Sequence, residues 1–495
     1  MKQALSILTI ATVLLIAIFA FAAPSDLAQT GQTKCYNASQ IEIDCSGTGQ
    51  DGEYQKGVAW PSPRFTDNGD GTVTDNLTGL VWLHDGNCPQ AVRSWYDALA
   101  DINQINNDGT MNANDCNDTS NNGGHQTDWR LPNILELESL VDLHFADVAF
   151  PSPNPFNARS PNGAEVVNKW WSGTTDQADT LWSFYLDFEH GEISSYSKTA
   201  GSYYVWPVRG NQNGGLVKLP KTGQKTCYGE NRTIISCAGT GQDGELQQGV
   251  TWPTPRFADN ADGTVTDNLT GLIWLKNGHC YGSQTWEEAL TSATGLANNT
   301  CGLTDSSSIG DWRLPNRREL QSLVDFENKT PSLPDNHPFI NVPTNESYWS
   351  SSTGTPEFHP DWAWYIFFNR GTSTITGRGN LNGVWMVRDA TGGPYDLTVN
   401  LAGSGKGSVT SSPAGIDCGA DCSESYAVVT TKGETVTLSA TTDPGYIFTG
   451  WSGSGCFGTD DCTVTIDHTR SVTATFSTKA PWNLFLPAIL NNSQK

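Results

Sequence analysis

The sequence predicts an α+β chain in which one unit is used twice and a smaller, mostly-β unit follows. Three observations predict it. From Gln29 to Cys88 and from Lys221 to Cys280 the chain aligns with itself without gaps, sharing 39 of 60 residues, and 15 of 17 between Asp67 and Leu83. Inside each unit, apolar residues at helical spacing alternate with short runs of period two. Beyond Tyr395 the runs are Thr/Val-rich and purely alternating. With 495 residues and roughly 150 per domain, three domains fit. A unit of about 180 residues is too long for a stacked repeat, so each copy should be globular.

Lys2 precedes an apolar run from Ala4 to Ala23 that ends in Ala20-Phe21-Ala22, the layout of a secretory signal cleaved near Ala22 or Ala23. The alternative is an uncleaved membrane anchor, since the run is long enough to span. The expected organisation is a signal over 1–23, a first unit over 24–210, a linker over 211–220, a second unit over 221–390, a β domain over 395–477 and a tail over 478–495. In each unit, Asp67 to Asp75 and its twin Asp259 to Asp267 put a Gly-rich turn before a Thr/Val strand. Leu80 to Leu83 then returns as the second strand of a hairpin. Trp95, Ala98, Leu99 and Ile102 predict a helix, as do Trp286, Ala289 and Leu290. After an extended Asp128-Trp129-Arg130-Leu131-Pro132-Asn133 segment, repeated at 311–316, a second helix should carry Leu135, Leu137, Leu140, Val141 and Leu143. Its twin carries Leu320, Leu323, Val324 and Phe326. Trp182, Phe184, Leu186 and Phe188 alternate as a strand, and Trp362, Trp364, Ile366 and Phe368 repeat it.

Charge and cysteines narrow the function classes. Only 16% of residues are charged, and 28 Lys+Arg against 52 Asp+Glu leave a net charge of −24. The cationic surface that neutralises phosphate is missing, so nucleic acid, anionic lipid and sulfated polysaccharide are poor partners. The twelve cysteines fall in close pairs on an exported chain, which predicts disulfides. Pairing sequence neighbours gives Cys35–Cys45, Cys88–Cys116, Cys227–Cys237, Cys280–Cys301, Cys418–Cys422 and Cys456–Cys462. The alternative, zinc, lacks C-x-x-C partners.

The block R-F-x-D-N-x-D-G-T-V-T-D-N-L-T-G-L-x-W, then D-W-R-L-P-N-x-x-E-L, a W-S-[SG] strand and a closing V-x-x-V-R, resembles the Lcl C-terminal domain family in both copies. The match covers roughly residues 60–210 and 252–390. It implies two tandem C-type-lectin-like binding modules on an extracellular protein, and in the collagen-like adhesin that names the family it implies a grip on sulfated polysaccharide. The collagen repeat is absent here, and the acidic balance argues for a different ligand. In the third domain, G-S-V-T-S-S-P-x-G-I-x-C-x-x-x-C, V-T-L-S-A, G-Y-x-F-T-G-W-S-G-x-x-C and V-T-A-T-F resemble the secreted bacterial repeat related to the internalin B-repeat. That resemblance implies a small β-grasp-like module with Trp451 at its centre. The tail segment Trp482 to Leu490 is too short and Pro-broken to span a membrane, and reads as docking on its own domain or as a surface-attachment signal.

Candidate chemistry is sparse. Asp67, Asp70 and Asp75, with Asp259, Asp262 and Asp267, could hold calcium, but they lack an EF-hand ladder. The plainer reading is a turn in which the carboxylates bond nearby backbone N–H groups. The eight histidines form no i,i+4 pair, and the acyl-transfer, phosphoryl-transfer and dinucleotide signatures are missing, so no enzyme, cofactor or metal is expected. Arg130 and Arg313 read as structural ion-pair partners. Trp170, Trp171 and Trp182, with Tyr348, Trp349 and Trp362, could stack on sugar rings, although paired aromatics this regular are usually core. The divergent stretches Phe145 to Lys169 and Glu327 to Ser347 sit where variable binding loops belong. Ligand contacts are therefore expected at Asn168, Trp170, Asn345, Glu346 and Tyr348. The partner is a polysaccharide or an extracellular protein, held through tandem sites, and oligomers are compatible with this. A structural envelope component and a carboxylate-pair hydrolase are the alternatives.

Overall fold

The computed structural model describes residues 25–144, 150–156, 169–212, 214–354, 361–389, 394–418, 422–427, 434–453, 456–466 and 470–479. The proposed signal segment, Asn168, most of the Phe145–Lys169 stretch and nearly all of the tail lie outside them. Among the described residues, no helix is long and apolar enough to cross a membrane.

Each unit begins with an arm holding a two-stranded ladder and a one-turn helix: α1 (Asp51–Tyr54) in the first copy, and its twin Asp243–Leu246 in the second. The Asx-rich turn then feeds strands Phe65–Asp67, Thr72–Asp75 and Val81–Leu83, with the closing strand Val208–Arg209 on the far edge. Gly71 sits at φ +86° with Asn117 O 2.0 Å from where a Cβ would stand, so only glycine fits that turn. The first long helix, α2 (Trp95–Asp108), is capped by Ser94 accepting from the Asp97 N–H and stopped by left-handed Gly109. Trp95 ties it to the sheet through Nε1 donating to Ser172 O at 2.7 Å.

The second helix, α3 (Ile134–Ser139), is shorter than the Leu135–Leu143 periodicity predicts. It opens with a capping box between Asn133 and Glu136. Guanidinium groups take the carbonyls at and just beyond its end. Arg64 Nη2 donates to Ser139 O at 2.9 Å, and Arg318 Nη2 donates to Val141 O at 2.8 Å. Arg317–Ser322 repeats the arrangement, with Arg256 Nη2 donating to Ser322 O.

The strand-rich end of each copy merges into one eight-stranded sheet. In chain order its strands are β1 (Lys169–Thr175), β2 (Trp182–Asp187), β3 (Glu192–Ser197), β4 (Ser283–Gln284), β5 (Ser347–Thr353), β6 (Trp362–Phe367), β7 (Thr372–Gly377) and β8 (Asn382–Gly383). Their spatial order is β4-β8-β5-β6-β7-β3-β2-β1, so the copies meet where β3 pairs with β7. One continuous hydrophobic core runs through both copies. The stretch 211–220 is pinned to this body: Val217 is fully buried, and its N–H donates to Leu77 O at 2.8 Å.

Residues 394–479 form two four-stranded sheets around a separate core that includes Trp451 and Phe476, with no helix among the described residues. All six disulfides pair as the sequence predicts. The molecule is thus β-rich and multi-domain.

Candidate functional site

The repeated charged motif is scaffolding. Arg130 forks onto Glu136 with both bonds at 2.6 Å, and Arg313 does the same on Glu319 while also reaching Asp389 at 3.0 Å. All four partners of the two forks are buried, and each glutamate also closes its helix cap, so the D-W-R-L-P-N-x-x-E spacing locks an extended segment to a helix start. The Asp-rich turns are also internally satisfied. Asp67 accepts from the Gly69 N–H, Asp70 from the Thr72 N–H and hydroxyl, and Asp75 from the Leu77 N–H and Arg64. This is the backbone-bonded turn, and it saturates Asp75, which accepts from Arg64 on both oxygens, from the Leu77 N–H and from the Thr78 hydroxyl.

The sequence-predicted contacts of the second copy come together at the start of β5. Tyr348 points inward and is fully buried, packed on Phe368 and Trp385 with centroids 5.6 and 5.4 Å away. Its ring crosses Gly383 on the neighbouring β8, where a Cβ would stand 2.8 Å from Tyr348 and 3.0 Å from Glu346. Glu346 accepts from Ser283 Oγ at 2.7 Å, and Asn345 accepts from Asn369 Nδ2 at 3.2 Å. The divergent loop closes one side. Its residue Ile340 pairs with Asn277, and the Gly278 N–H donates to Ile340 O at 3.0 Å. His279 is thereby held beside Tyr348, centroids 6.3 Å apart.

Two buried polar atoms in this cluster are orphans. The Tyr348 hydroxyl and His279 Nδ1 are buried, and neither has a hydrogen-bond partner among the described residues. Burial, then the nearby Glu346 charge, pushes the Tyr348 phenol above its usual range, so it stays a neutral donor. The first copy repeats the pattern with different letters. Trp170 replaces Tyr348, is 3% exposed, and donates through Nε1 to Gly86 O at 2.8 Å. Asn87 stands where the second copy has His279, and its buried Oδ1 is likewise without a partner among the described residues. The same position thus carries a buried polar atom unpaired among the described residues in both copies, as do Arg64 with Arg256 and Trp82 with Trp274.

Trp170 and Tyr348 are therefore core residues rather than stacking platforms, because their faces are covered by other core aromatics. The polar rim is Asn345, Glu346 and Ser283 in one copy, and Lys169 with Asp187, 3.3 Å apart, in the other. Among the described residues, Asp187, Glu189 and His190 form a group whose ligand atoms lie within 4.8 Å of one another. Lys169 and the Glu189 N–H already engage both Asp187 oxygens, which makes the group a poor cation ligand set. Sequence reasoning missed His279, Asn87, Ser283 and Gly383. The available signal was the Gly-x-Cys triplet (86–88 and 278–280), kept in both copies with only its middle letter changed. Amides and a carboxylate above a buried aromatic can exchange hydrogen bonds with hydroxyls.

Residues 71–209 and 263–388 match the family described as the Lcl C-terminal domain. Residues 395–480 match the divergent InlB B-repeat domain. No curated protein matches the chain.

Proposed function

The chain belongs to the Lcl C-terminal domain family, and from that premise we propose that it is an exported adhesion protein that holds a neutral, hydroxyl-rich polysaccharide without transforming it. Both matched families are of adhesin and repeat type, and six disulfides suit an extracellular or surface setting. In this reading the units adopt the C-type-lectin-like topology, residues 1–23 direct export, and the β domain is a spacer. The observation that supports the ligand class is the polar cluster over Tyr348: exposed Asn345 and Ser283 with Glu346, above a buried hydroxyl and imidazole nitrogen unpaired among the described residues. These groups match sugar hydroxyls, which both donate and accept, whereas the net charge of −24 opposes sulfated chains.

Co-sedimentation of the full chain with insoluble neutral polysaccharides, in parallel with heparin beads, tests this. The neutral panel should retain the protein, and Glu346→Ala with Asn345→Ala should lose most of that retention while melting unchanged. Stronger retention on heparin, or neutral-panel retention indifferent to both substitutions, would overturn the reading.

A further inference from the structure

We infer that the two copies are obligate binding partners, joined by an isologous interface strong enough to hold the molecule together after the chain between them is cut. The interface has the signature of two-fold symmetry, in which a residue meets its own counterpart. Where β3 meets β7, Ile193 pairs with Ser373, and these occupy the same position in the two copies (Trp182 and Trp362, equally far upstream, are equivalents).

The arms cross this axis reciprocally. Gln32 of the first copy accepts from the Thr353 N–H of the second at 2.9 Å and donates to Thr353 O at 2.5 Å. Gln224 of the second copy makes the same two bonds with Thr175 of the first, both at 2.8 Å. Asp51, in the first arm's one-turn helix, accepts from Ser352 at 2.6 Å; Asp243, its twin, accepts from Thr174 at 2.8 Å. Asn316 donates to Lys56 O and Asn133 to Gln248 O, so each cap asparagine also fastens the other copy's arm. These groups are buried, and parting the copies would strip partners from all of them at once.

The interface is entirely non-covalent. Each disulfide of the duplicated region closes within one copy, at separations of 10, 28, 10 and 21 residues. The connection adds a contact of its own, Val217 on Leu77, but no covalent bond between the copies survives a cut in it. Within it Gly214 and Leu216 are exposed, Leu216 by 51%, on either side of Gly215, which lies against the Thr78 backbone. The partner that fits each copy is a second copy of the same unit, and an extracellular cut at this strap leaves a two-chain particle with both polar clusters fixed relative to each other.

The test is to insert a specific protease sequence directly after the exposed Gly214 in the full chain, keeping Gly215, then cut it and run size exclusion with native mass spectrometry. The cut protein should elute as one particle containing both fragments, at the mass of the uncut chain. Fragments that separate under native conditions would overturn the inference. A second arm identifies the cause: Thr174→Arg with Ser352→Arg places two cations on the interface. In the cut form these should abolish co-elution, and the milder Gln32→Ala with Gln224→Ala should lower the urea concentration at which the fragments part. If every cut variant co-elutes as firmly as the unaltered protein, something other than this interface holds the halves, and the inference fails.

Discussion

Replacing Asp51 and Asp243 by asparagine should remove a pH dependence that these two buried carboxyls impose on the whole duplicated body. Both are completely enclosed. Burial is the largest influence on each, and it outweighs the hydroxyls of Ser352 and Thr30 on Asp51 and of Thr222 and Thr174 on Asp243, so each carboxyl is pushed up to about 6 from 3.8. A folded pKa above the unfolded one means the native state binds the proton more tightly. The stabilisation is therefore complete below about pH 3.8, declines as pH rises from about 4 to about 6, and is gone above. The difference corresponds to about 3 kcal/mol for each carboxyl. Other carboxylates titrate over the same range, so the informative quantity is the gap between the parent and the double variant in urea midpoints at pH 4.5, 5.5, 6.5 and 8. The parent should gain on the variant by several kcal/mol in total on acidification from pH 8 to 4.5, with most of the change below pH 6.5. A gap that stays constant across that range would refute the assignment of these groups as buried, proton-linked members of the interface.

Arg130→Ala leaves Glu136 buried and unpaired, and should cost about 3 to 5 kcal/mol in urea unfolding; Arg313→Ala should match it. Removing Cys88–Cys116 should lower stability by about 3.5 kcal/mol and removing Cys35–Cys45 by about 2.7 kcal/mol, from loops of 28 and 10 residues, so paired serine variants should melt in that order. Melting in calcium and in chelator should agree within about 5 °C, because backbone N–H groups already engage the Asp-rich turns. Tyr348→Phe deletes a hydroxyl with no partner among the described residues, so it should leave the melting temperature unchanged or raised and weaken polysaccharide retention roughly 3- to 10-fold.

Local patterns carried much of the fold. The Asx turn and hairpin, the Trp95 and Trp286 helices, the Arg130 and Arg313 ion pairs and all six disulfides depend on residues a few tens of positions apart, where spacing and turn chemistry suffice. The early end of Ile134–Ser139 did not show, because the apolar periodicity runs on through Val141 and Leu143, which are buried beyond the helix. The interlock of the copies was hidden because Gln32 and Thr353 are 321 residues apart, and the Asp51-Gly52-Glu53 triplet looks like any polar turn. At the site, Asn345 and Glu346 were legible as polar residues entering a strand after a divergent loop. Trp170 and Tyr348 were ambiguous. From Trp170 to Thr175 every residue of β1 is buried, so alternation could not say which aromatic faced outward. His279 and Asn87 are single letters whose importance appears only when a buried nitrogen or oxygen is found without a partner.

Hydrogen–deuterium exchange of the full chain, with and without saturating neutral polysaccharide, tests the central claim most directly. The account predicts slowed exchange confined to Asn277–Gln284, Ile340–Tyr348 and the matching segments around Asn87 and Lys169. Protection lying elsewhere, for example on the 394–479 sheets, or none at a polysaccharide concentration that retains the protein, would contradict it.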